Sequence, residues 1–142
     1  MKIGKHIIFL SLIAFVLHSV WENAQAPLFR GYVSFTEHFS ACFVRTIGDV
    51  IITLSVYFIF ALFKNDLGWL LALNKKDIIL LAIVGFLIAI GIEQRALLQG
   101  RWAYADVMPI IPYLKVGLAP IFQMTLLLPF SMYPIKSLKK YE

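Results

Sequence analysis

At 61% hydrophobic residues and a mean hydropathy of +0.82, a chain of 142 residues is too apolar for a soluble domain and too short to carry one beside its apolar runs. Its net charge of +5, from 13 Lys and Arg against 8 Asp and Glu, is dispersed between those runs, which argues against nucleic acid and for membrane topology and anionic headgroups. Cys42 is the only cysteine, so an internal disulfide and a dithiol redox centre are both excluded.

The first apolar run covers about 6–21 and follows Lys2 and Lys5. Ala24-Gln25-Ala26 has the small-x-small pattern of a signal-peptide cleavage site. Pro27 just beyond it, and His18, Trp21 and Glu22 within the end of the run, favour a retained first helix. A long connection, 23–40, carries Leu28, Phe29, Tyr32, Val33 and Phe35, enough apolar surface to lie over the mouth of a bundle. The second run, 41–63, is crowded with Tyr57, Phe58, Phe60 and Phe63. The connection 64–77 includes Leu67, Trp69, Leu70 and Leu71 and predicts a short interfacial helix, with Trp69 at the membrane surface. The third run, 78–98, contains Gly85 and Gly91, which permit close helix approach. After it, 99–112 holds Gly100-Arg101-Trp102 and Tyr104, and Pro109 and Pro112 stop the helix from continuing. In the fourth run, 113–133, Pro120 and Pro129 predict a kink.

Each run is near the length of about 20 residues that spans a bilayer as a helix. Continuous runs do not fit the alternating segments of about ten residues that build a barrel. The expectation is one all-α domain over 1–142: a polytopic integral membrane protein, an antiparallel bundle of four transmembrane helices with a long first outer loop and a kinked fourth helix.

With the N-terminus inside, Lys2, Lys5, Lys64, Lys75, Lys76, Lys136, Lys139 and Lys140 fall on the inner side. Arg30, Arg45, Arg95, Arg101 and Lys115 fall outside, which predicts cytoplasmic termini in a prokaryotic cytoplasmic membrane. Trp21, Trp102 and Tyr104 then form an outer aromatic belt. The division by residue type says more than the count. Every arginine is on the outer side, together with Glu22, Glu37, Asp49, Glu93 and Asp106. Arginine offers a planar fork of donors matched to carboxylate and phosphate, whereas lysine is a hydrated point charge.

Antiparallel threading brings the ends of the first and third helices beside the starts of the second and fourth. His18, Glu22, Arg45, Asp49, Glu93 and Gln123 can then meet at one depth. Ionisable groups cost about 2.5–3.5 kcal/mol at a membrane helix centre and so face inward and pair. Arg45 and Asp49, four apart, either form a self-contained ion pair or leave Arg45 to anchor an anion. Glu93 is either paired with Arg95, Arg101 or Arg45, or acts with Glu22 and His38 as a catalytic acid or base. Arg45, Asp49, Arg101, Trp102 and Gln123 are the candidate ligand-binding residues. His18 and His38 are weak candidates for a metal or for axial ligation of haem; no cofactor is predicted. No Gly-x-Ser-x-Gly elbow supports a serine hydrolase.

Three functions fit. The first is an accessory or structural membrane protein that contacts lipids and a membrane protein partner or further copies of itself. The second is a small integral enzyme doing acid/base chemistry on a lipid or isoprenoid near the headgroups, with Arg45 and Arg101 holding an anionic group. An oligomeric transporter comes third, because the inner halves of the second and third runs are apolar.

Overall fold

The structure, a computed structural model, describes residues 2–141, with side-chain environments for 3–139. It is an all-α four-helix bundle: α1 Lys2–Gln25, α2 Phe35–Lys64, α3 Lys75–Leu98 and α4 Leu118–Met132. Four helical segments are, by length and composition, long and apolar enough to cross a membrane: Ile3–Leu28, Phe35–Lys64, Lys75–Leu98 and Leu118–Lys139, the last reaching beyond α4 into the helix that continues it. Short 3-10 turns follow α1 at Ala26–Leu28, precede α3 at Trp69–Ala72, and continue α4 over Tyr133–Tyr141.

Local chemistry sets the boundaries. Ser34 caps α2 by accepting from the Glu37 N–H, and Asn74 forms a reciprocal capping box with Asp77 at the start of α3. At the end of α3, Gly100 adopts φ +64°. Its N–H donates to the Leu97 carbonyl at 3.2 Å and that of Arg101 to Ala96 at 2.9 Å, the paired bonds of a Schellman turn. This turn sends Trp102 and Tyr104 back over the helix they have just left.

Two expectations for the fourth run are corrected. Residues 113–117 are not helical: Ile110–Ile111 (β1) pairs antiparallel with Val116–Gly117 (β2), and Lys115 takes a left-handed φ of +52°. Pro120 then falls in the first turn of α4, where its missing N–H would have had no partner, so it gives no reason for a kink there. Pro129 is the one proline inside α4, close to where it becomes 3-10 helix.

The bundle is apolar outside and selectively polar within. On α1, Ile8, Leu12, Val16 and Val20 are exposed at four-residue spacing, while His6, Leu10, Ala14, His18 and Glu22 form the buried stripe. On α3 the buried stripe is Asp77, Leu81, Gly85, Ala89, Glu93 and Ala96. α1 packs on α2 and on α4, and α4 packs on α3; α2 and α3 face each other without a comparable interface. At the lysine-rich end the interior is filled by Tyr57, Phe60, Trp69, Leu81, Leu128 and Met132. Trp69 is buried in this core, 2% exposed. Tyr57 and Phe60 stack on its ring, and its indole N–H donates to the Tyr57 carbonyl at 3.3 Å. Lys64 lies over the same ring and pairs with Asp77 at 2.7 Å, closing that end.

Gly85 is a point of close approach between α3 and α4. A Cβ there would lie 2.8 Å from the Met124 carbonyl carbon and 3.3 Å from Thr125 Cα, against backbone that cannot rotate away. Around Gly91 nothing lies within 4 Å. Gly85→Ala is therefore expected to cost about 1–3 kcal/mol. A lower melting temperature in detergent would register the loss, and Gly91→Ala should leave it unchanged.

Candidate functional site

Away from the lysine-rich core, the last turns of α1 and α3 and the first turns of α4 meet the third to fifth turns of α2 around a cavity of about 430 Å³. Its polar wall is Glu22, Gln25, Arg45, Asp49, Glu93 and Gln123, and its apolar wall includes Ile52, Ala89, Ile92 and Met124. Both α2 and α3, the pair of helices that lack a packed seam, contribute to its lining.

Gln123, from the first turns of α4, is the hub. Its Nε2 donates to Glu22 Oε1 at 2.9 Å and to Asp49 Oδ2 at 2.9 Å, while its Oε1 accepts from Gln25 Nε2 at 2.7 Å. Gln25 Nε2 also donates to Glu22 Oε1 at 3.0 Å. His18 Nδ1 sits 3.1 Å from Gln123 Nε2 and 3.3 Å from Asp49 Oδ2. Since the two hydrogens on Gln123 Nε2 are committed to the carboxylates, Nδ1 carries a hydrogen and donates to Asp49. His18 is fully buried behind the wall and does not line the cavity.

Glu93 has a different role. Trp102 Nε1 at 3.2 Å and the Tyr104 hydroxyl both donate to its Oε2. Burial, and then this bond to Glu93, push the Tyr104 phenol up from its ordinary value, so it remains a donor at physiological pH. The bonds fasten the loop after α3 across the mouth. The first connection joins it: the Arg30 N–H donates to the Ala103 carbonyl and that of Ala105 to Leu28, each at 2.9 Å. Phe29 lies buried beneath, its ring 5.5 Å from that of Tyr104. Tyr104→Phe should remove one of two bonds to a charged acceptor, costing about 1.5–3 kcal/mol. The effect is expected as faster limited proteolysis between 99 and 117 with the helices intact.

Arg45 is held by neither acid. Its guanidinium carbon lies 5.4 Å from the centre of the Phe29 ring and 5.3 Å from that of Trp102. Among the described residues its donors make no ion pair or hydrogen bond. Arg101 lies 5.4 Å from the Trp102 ring centre and lines the same cavity. Cation–aromatic contacts fix guanidinium groups without consuming their N–H donors, contributing about 0.5–2 kcal/mol each. Both arginines are thus oriented and chemically available.

The sequence-derived set is largely brought together: Glu22, Arg45, Asp49, Glu93, Arg101, Trp102 and Gln123 all line the cavity. The local Arg45–Asp49 pair and a Glu93–arginine pair do not form. Each acid instead takes a tertiary partner with a better-placed N–H or O–H. His38 stands apart, its ring 5.1 Å from that of Tyr32 and outside the cavity wall. Among the described residues no group of three or more His, Cys, Asp or Glu could hold a metal.

Sequence reasoning passed over Gln25 and left Tyr104 in an aromatic belt. The signal for Gln25 was its position three residues after Glu22, on the same helical face. Compared with known family models, curated proteins and solved structures, the chain matches none.

Proposed function

We propose that this protein binds the anionic polar head of a membrane lipid or isoprenoid, which reaches the cavity laterally between α2 and α3. Arg45 and Arg101 are the partners of the anion, and the apolar wall accommodates the first part of the chain. In this reading the helices thread a prokaryotic cytoplasmic membrane four times with both termini cytoplasmic, and the cavity lies near the outer headgroups. The protein acts as an accessory membrane protein that presents or retains its lipid.

One observation carries the reading. Arg45 is half-buried, lies over two aromatic rings, and makes no direct ion pair or hydrogen bond with the three carboxylates that line the same cavity. An arginine retained only for stability would pair with Asp49, one helical turn away on its own helix. The packed apolar core at the lysine-rich end favours a binding cavity over a transport path.

The test is to extract the protein in mild detergent and identify co-purifying lipid by native mass spectrometry. The expected result is an anionic or phosphate-bearing amphiphile enriched over bulk membrane, and lost in Arg45→Gln at unchanged protein abundance. Lipid in bulk proportions in both proteins would reject the proposal.

An enzymatic reading has one specific support: Glu22 lines the cavity with its Oε2 atom unpartnered, the state of a carboxyl group that could exchange a proton with a bound lipid. Glu93, tied by two donors, would position the loop in that case. Conversion of the co-purified lipid by wild type but not by Glu22→Gln would establish it.

A further inference from the structure

We infer that the bound head carries an N–H or O–H donor beside its anion, as in a primary-amine or polyol phosphodiester lipid. The inference rests on the anion-binding role given above to Arg45 and Arg101.

Glu22 and Gln25 both line the cavity, and each is 5% exposed. Glu22 Oε1 accepts from Gln25 and Gln123, whereas among the described residues its Oε2 has no hydrogen-bond partner. Gln25 Oε1 has none either. The orientation of the Gln25 amide is set by the network: turning it over would place its oxygen against Glu22 Oε1 and Gln123 Oε1, two further acceptors. The unmatched atoms in this wall are thus acceptors, three residues apart on one face of α1. Unpaired donors are found on the arginines held by Trp102 and Phe29.

Buried polar atoms are nearly always partnered, and an unpaired one is costly. A simple anion would satisfy the arginines and leave the acceptors of α1 bare. A head with both an acidic phosphodiester and an ammonium or hydroxyl satisfies the two sets together.

The experiment uses delipidated wild-type protein in detergent, with thermal shift and native mass spectrometry as readouts. The probes share acyl chains: phosphatidylethanolamine, its mono- and dimethyl derivatives, phosphatidylcholine, phosphatidylglycerol and phosphatidic acid. Binding is expected to weaken stepwise as N–H is replaced by methyl, by about tenfold or more from phosphatidylethanolamine to phosphatidylcholine. Phosphatidylglycerol should bind better than phosphatidylcholine and phosphatidic acid. Glu22→Gln should flatten the series; if that variant does not fold, the wild-type series alone decides. Equal binding of all six lipids, still lost in Arg45→Gln, overturns the donor requirement and leaves the anion site standing. Binding of none overturns both. Free phosphoethanolamine binding as well as the whole lipid would show a soluble head to be the ligand and overturn the lipid assignment.

Discussion

Gln123→Leu is expected to destabilise the protein more than any other single replacement in the bundle. Leucine matches glutamine in bulk, so the loss is almost wholly one of hydrogen bonds. The side chain removed donates to Glu22 and Asp49 and accepts from Gln25. Without it, two carboxyl groups from different helices face one another with no N–H between them, and Gln25 loses its acceptor on α4. Leaving a buried, charged network half-satisfied costs about 3–5 kcal/mol. Because α4 is also joined to α1 through the Trp21 indole on the Ala119 carbonyl, the helices should stay associated but melt early. A fall of about 10 °C in detergent is the expected size for a domain of this length. Measuring residual protein by size exclusion after a temperature series checks it. A melting point within about 2 °C of wild type would mean that the acids do not depend on this amide.

The reach of the sequence was uneven for physical reasons. The helices were plain because a bilayer demands long apolar runs, and their polar ends were underestimated for the same reason. α2 begins at Phe35, not near residue 41, and the signal was present: Ser34 stands three residues before Glu37, the spacing of an N-terminal cap. α3 likewise starts behind Asn74 and Asp77. Hydropathy failed at 113–117, where apolar residues build a two-stranded turn that no run length distinguishes from a helix. The inward faces were legible from polarity alone. His18 and Glu22, or Thr46, Asp49 and Thr53, mark the side of a helix that hydrocarbon would penalise.

Partners were less legible than faces. Spacing along α2 joins Arg45 to Asp49, but a local pair is weak. The hub amide of Gln123 and the rings brought by two separate loops take them apart. Nothing in a linear chain announces that Phe29 and Tyr104 lie side by side, because that contact depends on the turn at Gly100 and on the bundle that holds both loops.

Arg45→Lys is expected to abolish ligand enrichment nearly as fully as Arg45→Gln, although it keeps the charge. The guanidinium lies 5.4 Å from the Phe29 ring centre and 5.3 Å from that of Trp102 and lines the cavity, so its planar fork of donors is available to a bound phosphate. An ammonium on a flexible stem cannot offer two parallel donors to one phosphate and is more strongly hydrated. It is also free to swing towards Asp49 on the same helix, where it would neutralise the acid and withdraw from the ligand. The expected loss is about 2 kcal/mol of binding, or roughly thirtyfold in affinity. Among the described residues the arginine donors satisfy no protein acceptor, so stability should fall only by the part of the two ring contacts that an ammonium does not keep, less than the about 0.5–2 kcal/mol of each. The discriminating measurement is therefore a pair: lipid retention by native mass spectrometry, and melting temperature after complete delipidation. Lost retention with a nearly unchanged delipidated melting point assigns Arg45 to the ligand. Full retention in Arg45→Lys would show that charge alone suffices, and the planar recognition argued from Phe29 and Trp102 would be wrong.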